Sequence, residues 1–530
     1  MMNGVEASKT MMKDFLALIF LFAASQAQRT SQETQWFGRF TRWLRDNDGY
    51  LHPAVVLRPE ETRGLGAQDA IGKEELLLAV PRKLMVTPDT FMAHEDGSTR
   101  PCVLSCDEAS RRVSAYVAQQ SYNALPQNRL FLSMAAYLTH QLDHTDSNGA
   151  SAWLEDLNKL PSPSLPFTSG NAFAVRLLWP SPSYHVAERR RQWLSRDHRK
   201  ILSNIDRGVL GEGFTLEQYG KAVSLISSRA FSIPVQPREG ETWRNRHKEE
   251  DAVAEEDALV PFLELFNHRA SEHVNLLWNY DSATDFLEVR STRRIAPGEE
   301  LINSYGRLSN RELLEGFGFT LPPCEEPRQT YALQPWLITA AARQVANGSD
   351  VYSRVFQLLN AYNVTDMLNL GQVALDSDAV SPETSRLLGL TEKRFGERVG
   401  EFWLALLRLL ETPYRDDPSL EPFRSTMHTN RKHDPSSYVW WTERTEGNSC
   451  DHDRSLFSDD EGATNAARVK MSEYVCLRRW VDALEGLLRG EAADGAGPSR
   501  PSLRDELLRW FGRVAENRRK DGERQKVLTG

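Results

Sequence analysis

Leu259-Val-Pro-Phe-Leu-Glu-Leu-Phe-Asn-His268 is the stretch on which the fold turns. It is apolar almost throughout, yet it holds a carboxyl group at Glu264 and closes on an amide and an imidazole, Asn267 and His268. Polar groups in such a setting must find partners once buried. Taken alone, a pair like Asn267-His268 is more often a hydrogen-bonded part of the core than a ligand site. Upstream, Glu239 to Glu256 is highly charged with few large apolar residues, and reads as a solvated loop. Downstream, Phe286-Leu-Glu-Val289 alternates as a half-buried strand does. Pro297-Gly298 marks a turn, and a short strand is expected to run from it into Ser304-Tyr305-Gly306.

Further out the pattern changes. Trp36, Phe37, Phe40 and Leu44 follow helical spacing, with a stop near Asn47-Asp48-Gly49. Two strand-like runs follow, Ala54 to Leu57 and Glu75 to Val80, the second closed by Pro81. Between them Arg63-Gly-Leu-Gly66 reads as a turn. Residues 105–235 read as mostly helical: Phe131, Met134, Ala135 and Leu138 share a face, and Trp153, Leu154 and Leu157 continue it. The last third is helical as well, with stripes at Phe395, Val399, Phe402, Trp403, Leu406 and Leu410, and at Tyr474, Leu477, Val481, Leu484 and Leu488. Between those stripes, about 412–468 is polar and reads as a long loop.

Composition bounds the rest. At 530 residues the chain should form about three units of ordinary domain size. Its 13 Trp and 22 Phe supply real cores and exclude a wholly disordered chain. A net charge of −9 gives no global basic excess, so no nucleic-acid partner is expected. Five cysteines cannot form a disulfide framework, and the pair Cys102/Cys106 has no second Cys/His pair at zinc spacing, so no metal is expected. Walker, GxSxG and HExxH motifs are absent. At the N-terminus, Lys9 and Lys13 precede the apolar run Phe15 to Ala24, with Ser25 and Ala27 beyond it. This has the shape of a secretory signal peptide over 1–27, and it is too short to span a bilayer.

Four segments stand out together: Arg63-Gly-Leu-Gly-Ala67, Ser228-Arg-Ala-Phe231, Leu259 to His268, and Gly298-Glu-Glu-Leu-Ile-Asn-Ser-Tyr-Gly306 continuing through Ser309-Asn310 and Leu313-Leu314 to Phe317-Gly-Phe319. In this order and with these separations they resemble the SET-domain protein methyltransferases. The branch they are similar to is that of the Rubisco large-subunit and actin-histidine methyltransferases. Val80-Pro-Arg-Lys-Leu84, and Trp153 followed by Leu160-Pro161, look like that branch too. The resemblance covers roughly 36–322.

The resemblance implies an α+β chain: a SET-domain β-fold with an inserted helical subdomain, then an all-α C-terminal substrate-binding domain. The implied boundaries are 36–104 and 259–322 for the SET parts, 105–258 for the insert, 330–490 for the helical domain and 491–530 for a polar tail. It implies S-adenosylmethionine as cofactor, held by Arg63, Gly64, Leu65, Gly66, Arg229, Asn267 and His268. Tyr305 would be catalytic, with Glu264, Phe317 and Phe319 at the substrate channel. The implied activity is methyl transfer to a lysine nitrogen of a protein substrate, with histidine as the alternative acceptor. Two departures bear on this. Glu264 stands where many members carry Asp, and Phe317 where they often carry Tyr. A catalytically silent SET-like module that binds a protein partner is therefore the competing reading. The leader points to the secretory route, or to a plastid reached through it, whereas the family is mainly intracellular. Oligomeric state is not legible in the sequence.

Overall fold

The computed structural model describes residues 33–58, 64–87, 172–205, 214–234, 255–322, 325–345, 357–362, 364–369, 373–376, 379–395, 398–420 and 461–488, with the single positions Leu138, Thr139, Trp153, Leu157, Leu165, Leu210 and Leu507. The expected leader, Arg63, Phe131, Met134, Ala135 and Leu154 lie outside these residues, as do Cys102, Cys106, Cys324 and Cys450.

In chain order the elements are helix α1 (33–46) and strands β1 (Tyr50–Leu51), β2 (Val55–Arg58), β3 (Gly64–Ala67) and β4 (Leu76–Pro81). Helices α2 (Ala172–Leu177), α3 (Pro182–Asn204) and α4 (Leu216–Arg229) follow. Next come β5 (Ala230–Pro234), β6 (Glu255–Leu259), β7 (Asn267–His268), β8 (Leu276–Asp281), β9 (Phe286–Ser291) and β10 (Ile302–Asn303). The remainder includes α5 (Asn310–Phe317), β11 (Thr330–Ala332), α6 (Pro335–Val345), β12 (Ala374–Asp376), α7 (Pro382–Phe395), α8 (Val399–Arg415) and α9 (Glu461–Leu488), with a short helix at Val364–Asn369. The chain divides into two compact units, one drawn from 1–162 and 194–305, the other from 163–193 and 306–530. The division thus falls at Tyr305/Gly306, inside the expected 259–322 segment.

The first unit is built on an antiparallel sheet in the order β1-β4-β9-β8. Leu78 pairs with Val289 and Val80 with Leu287. Along β9 the buried residues alternate, Leu287, Val289 and Ser291, as a pleated strand with one inward face requires. Helix α1 ends where Asn-Asp-Gly was expected to end it. Asp48 is left-handed at φ +67°, and Gly49 N–H donates to Leu44 O at 2.9 Å. The inner face of α1 carries Phe40, which stacks on Phe262 at 3.9 Å, with Phe37 edge-on to the same ring at 5.8 Å. Phe262 itself has φ +67°, a conformation costing a bulky residue about 1–3 kcal/mol that only tight packing sustains. The aromatic stack thereby fixes the chain just before Glu264, Asn267 and His268.

Charge in Glu255-Glu256-Asp257 does not make a loop there. These residues form β6, paired with β5 in a two-stranded ladder, Asp257 opposite Ser232 and Leu259 opposite Ala230. Ladder pairing outweighs the low strand propensity of the acids.

The second unit is mainly helical. Its core joins α6, α7, α8 and α9, with Phe395 stacked on Phe402 at 4.5 Å and Trp403 on Trp480 at 6.1 Å. Both ends of the expected loop over 412–468 are helical, since α8 continues to Arg415 and α9 starts at Glu461. Helix α5 starts at a complete capping box between Ser309 and Glu312, and Gly318 ends it at φ +84°. Among the described residues no helix is long and apolar enough to cross a membrane, and no cluster of His, Cys, Asp or Glu could hold a metal ion.

Candidate cofactor and transfer site

The glycine pair sits in a strand, not in the turn its composition suggests. β3 pairs with β2, Arg58 opposite Gly64 and Val56 opposite Gly66. Its other edge is also occupied: Leu301 N–H donates to Leu65 O and Ala67 N–H to Glu299 O, each at 2.9 Å. Leu65 is fully buried. Gly64 and Gly66 do not use the left-handed conformation, which among the described glycines belongs to Gly298, Gly306 and Gly318. Space is the reason for glycine here. A Cβ on Gly64 would stand 2.5 Å from Asn267 Nδ2 and 3.1 Å from Glu300 Oε1.

The other segments close on this strand. β10 runs parallel to β7, with Ile302 opposite Asn267 and Asn303 opposite His268. Asn267 Nδ2 donates to Glu300 Oε1 at 2.9 Å. From the end of α4, Arg229 Nη1 donates to the Glu264 carbonyl at 2.7 Å. Its Nε is buried and has no hydrogen-bond partner among the described residues. The Glu264 side chain, itself buried, receives the Trp153 indole N–H at 2.7 Å.

His268 and Tyr305 form one device. Their rings stack at 5.0 Å and 17°, and Tyr305 N–H donates to His268 Nδ1 at 3.1 Å. That bond requires an unprotonated Nδ1, so the neutral imidazole carries its proton on Nε2. Burial lowers the His268 pKa from its ordinary value, against a raising contact with the Asn303 backbone, and so favours this neutral form. The Tyr305 hydroxyl donates to the Phe266 carbonyl at 3.0 Å. Burial raises its pKa above the usual tyrosine value, opposed by Arg229 and assisted by Glu264. The phenol therefore stays neutral at physiological pH: a hydrogen-bonding group, not a phenolate base.

Gly64, Leu65, Gly66, Arg229, Glu264, Asn267, His268 and Tyr305 are thus gathered within the first unit. Phe317 and Phe319 belong to the second, at the end of α5 and just beyond it, with ring centroids 6.4 Å apart. Glu300 and the Phe266 carbonyl were not singled out by sequence reasoning. For Glu300 the available signal was its place in Gly298-Glu-Glu-Leu301; a carbonyl leaves none.

The glycine strand thus lies between β2 and the 298–303 run, and the Asn-His strand runs parallel to the strand before Tyr305. Residues 62–306 match the SET domain family model, and this stretch is a SET domain. The fold is that of the Rubisco LSMT structures. One bound to AdoMet aligns with a TM-score of 0.50 at 15% identity, covering 90% of this chain and 98% of that one. Another, a SET domain of LSMT bound to lysine and AdoHcy, aligns at 0.50 and 16%, covering 92% and 98%. Among curated proteins, the chain is 24% identical over 328 residues to the N-lysine methyltransferase setd6 of Xenopus laevis, covering 59% of this chain and 63% of that protein. It is 27% identical over 165 residues to the ribosomal lysine N-methyltransferase set10 of Schizosaccharomyces pombe, covering 31% and 26%. The match to these relatives spans less than two thirds of their own length.

Proposed function

We propose that this chain is an S-adenosylmethionine-dependent methyltransferase acting on a lysine side chain of a protein substrate. The observation that carries this reading is the convergence of Gly64, Asn267 and Glu300, together with the Tyr305 hydroxyl bonded to the Phe266 carbonyl. The residues suit the cofactor. Gly64 leaves room where a Cβ would collide with Asn267, and Arg229 offers a half-buried cation whose Nε has no hydrogen-bond partner among the described residues. Leu65, Gly66 and His268 complete the wall. When bound, S-adenosylmethionine supplies an electrophilic methyl group.

The chain's own residues must then present a neutral amine. An exposed lysine has a pKa of about 10.4, leaving only about four in ten thousand neutral at pH 7. A dry surround penalises the ammonium and raises that fraction. The neutral Tyr305 phenol orients the incoming nitrogen through hydrogen bonding, and His268 fixes the Tyr305 backbone so that the phenol stays aimed at Phe266 O. No base is required at Tyr305: the amine proton leaves to solvent. The helical second unit is assigned to docking of the substrate protein.

Tritiated S-adenosylmethionine, incubated with the protein and a cell lysate, tests the reading. Label on lysine Nζ, absent with Tyr305→Phe, is expected. Label on histidine would move the acceptor, and no transfer by a protein that binds cofactor would favour the silent partner-binding module. Entry into the secretory route, proposed from Lys9 to Ala27, is tested separately by fusing residues 1–35 to a fluorescent protein; diffuse cytosolic signal would contradict it.

A further inference from the structure

Among the described large apolar side chains of the second unit, Trp179 is the most exposed, at 55%. It stands between α2 and α3, and its ring lies edge-on to Tyr184 at 5.6 Å and to His185 at 5.8 Å. Those two rings are themselves edge-on at 5.2 Å. Tyr184 packs in turn on the small core of Leu178, Leu314, Ala466 and Val469. The indole is thus braced from below, so covering it costs little further side-chain entropy. Rigid, exposed aromatic surface of this kind marks an interaction site more often than chance exposure does.

The charges around the rings have one sign. Arg176 lies three residues before Trp179, and Arg189 lies one turn beyond His185 on the same face of α3. Both guanidinium groups are exposed, and among the described residues neither has an acceptor; nor does the Trp179 indole N–H. The nearby acids are engaged elsewhere. Glu188 pairs with Arg191 at 3.4 Å, and Glu315 accepts from Ser183 Oγ at 2.7 Å and pairs with Arg311 at 3.3 Å. Arg190 is turned to the Glu315 carbonyl at 3.0 Å. In a chain of net charge −9, this donor-rich face runs against the average. It is no cage for a cation: the three rings touch one another, and Arg189 would repel positive charge. Ionised carboxylates, which only accept, suit the two guanidinium groups and the indole N–H, and an apolar side chain suits the indole face.

We propose that the Trp179–Tyr184–His185 platform, flanked by Arg176 and Arg189, docks an acidic segment of a partner protein whose apolar side chain covers the Trp179 ring. The proposal goes beyond methyl transfer and does not depend on it. Fluorescence anisotropy of the full chain with a labelled short peptide of Asp and Glu around a central Phe-Leu pair tests it. The same peptide with Lys in place of every acid is the control. The acidic peptide is expected to bind, more weakly as salt rises, and the basic one not to bind. Trp179→Ala should weaken the acidic peptide about tenfold or more, and the exposed double substitution Arg176→Glu with Arg189→Glu by a similar factor. Trp179→Phe, which keeps an apolar ring, should retain more affinity than Trp179→Ala. Failure of the folded wild type to bind the acidic peptide, equal binding of the two peptides, or unchanged affinity in Trp179→Ala or in the double variant overturns the proposal. A self-association seen by sedimentation and abolished by Trp179→Ala overturns it too, by giving the face to a second copy of the chain. None of these outcomes bears on the methyltransferase reading, which rests on residues of the first unit.

Discussion

Replacing Gly64 with alanine adds one methyl group at the centre of the site. The backbone of β3 tolerates it, because Gly64 is not left-handed. The methyl, however, would stand 2.5 Å from Asn267 Nδ2, inside any real contact distance, so Asn267 must move. Moving it breaks the 2.9 Å bond to Glu300. Overpacking of this kind costs about 1–3 kcal/mol. Loss of a hydrogen bond to a charged group costs about 1.5–3 kcal/mol. The stiffer unfolded chain returns about 0.4–1 kcal/mol. The expected net loss is roughly 1.5–5.5 kcal/mol in the first unit. Gly66→Ala is the internal comparison. Its methyl would meet Arg58 Cδ at 2.7 Å and Cγ at 3.0 Å, so the Arg58 stem must shift, and the Glu299 carbonyl at 3.3 Å. It leaves the Asn267–Glu300 bond in place and should cost only the overpacking, about 1–3 kcal/mol. Urea unfolding followed by tryptophan fluorescence reads both variants. Gly64→Ala as stable as wild type, or Gly66→Ala as damaging as Gly64→Ala, would refute the reasoning.

Three further outcomes are expected. With the proposed role in transfer for the hydroxyl bonded to Phe266 O, Tyr305→Phe should lower turnover by about a hundredfold or more with cofactor affinity within about twofold; equal loss in kcat and affinity would show a structural role. Trp153→Phe removes the donor at 2.7 Å from a buried carboxylate oxygen of Glu264 and should destabilise by about 1–3 kcal/mol in urea, while an unchanged midpoint would show the bond to be idle. In the second unit, burial pushes the Glu473 carboxyl up to about 8, although Tyr414 and Ser181 donate to it at 2.7 and 2.9 Å and Arg311 lies near. The folded state then binds a proton that the unfolded state releases near 4.5, so this group's contribution to stability falls as pH rises from about 4.5 to about 8. Glu473→Gln should flatten that part of the pH–stability curve and leave the protein more stable than wild type at alkaline pH; an unchanged slope would contradict the assignment.

The grouping of these runs was legible because its parts are short and contiguous. Asn267-His268, Gly64 to Gly66 and Tyr305 each stand in a run whose residue types alone suggest close packing around polar groups, and the structure brings those runs together through β3, β7 and β10. Other features were hidden for definite reasons. Two glycines in four residues read as a turn because local propensity knows nothing of strands arriving on both sides. The bond between Trp153 and Glu264 joins residues 111 apart, and no periodicity encodes such a contact. Glu300 was indistinguishable from Glu299 until one was seen closing a turn and the other facing Asn267. By contrast, the capping box of α5 was present in the letters Ser309 to Glu312.

The central claim is that these residues form a cofactor site, and calorimetric titration of S-adenosylmethionine into wild type and Asn267→Ala tests it most directly. The account predicts micromolar binding by the wild type, weakened about tenfold or more in the variant as the half-buried partner of Glu300 is lost. A folded wild-type protein that takes up no S-adenosylmethionine, or an Asn267→Ala variant that binds it equally well, would contradict it.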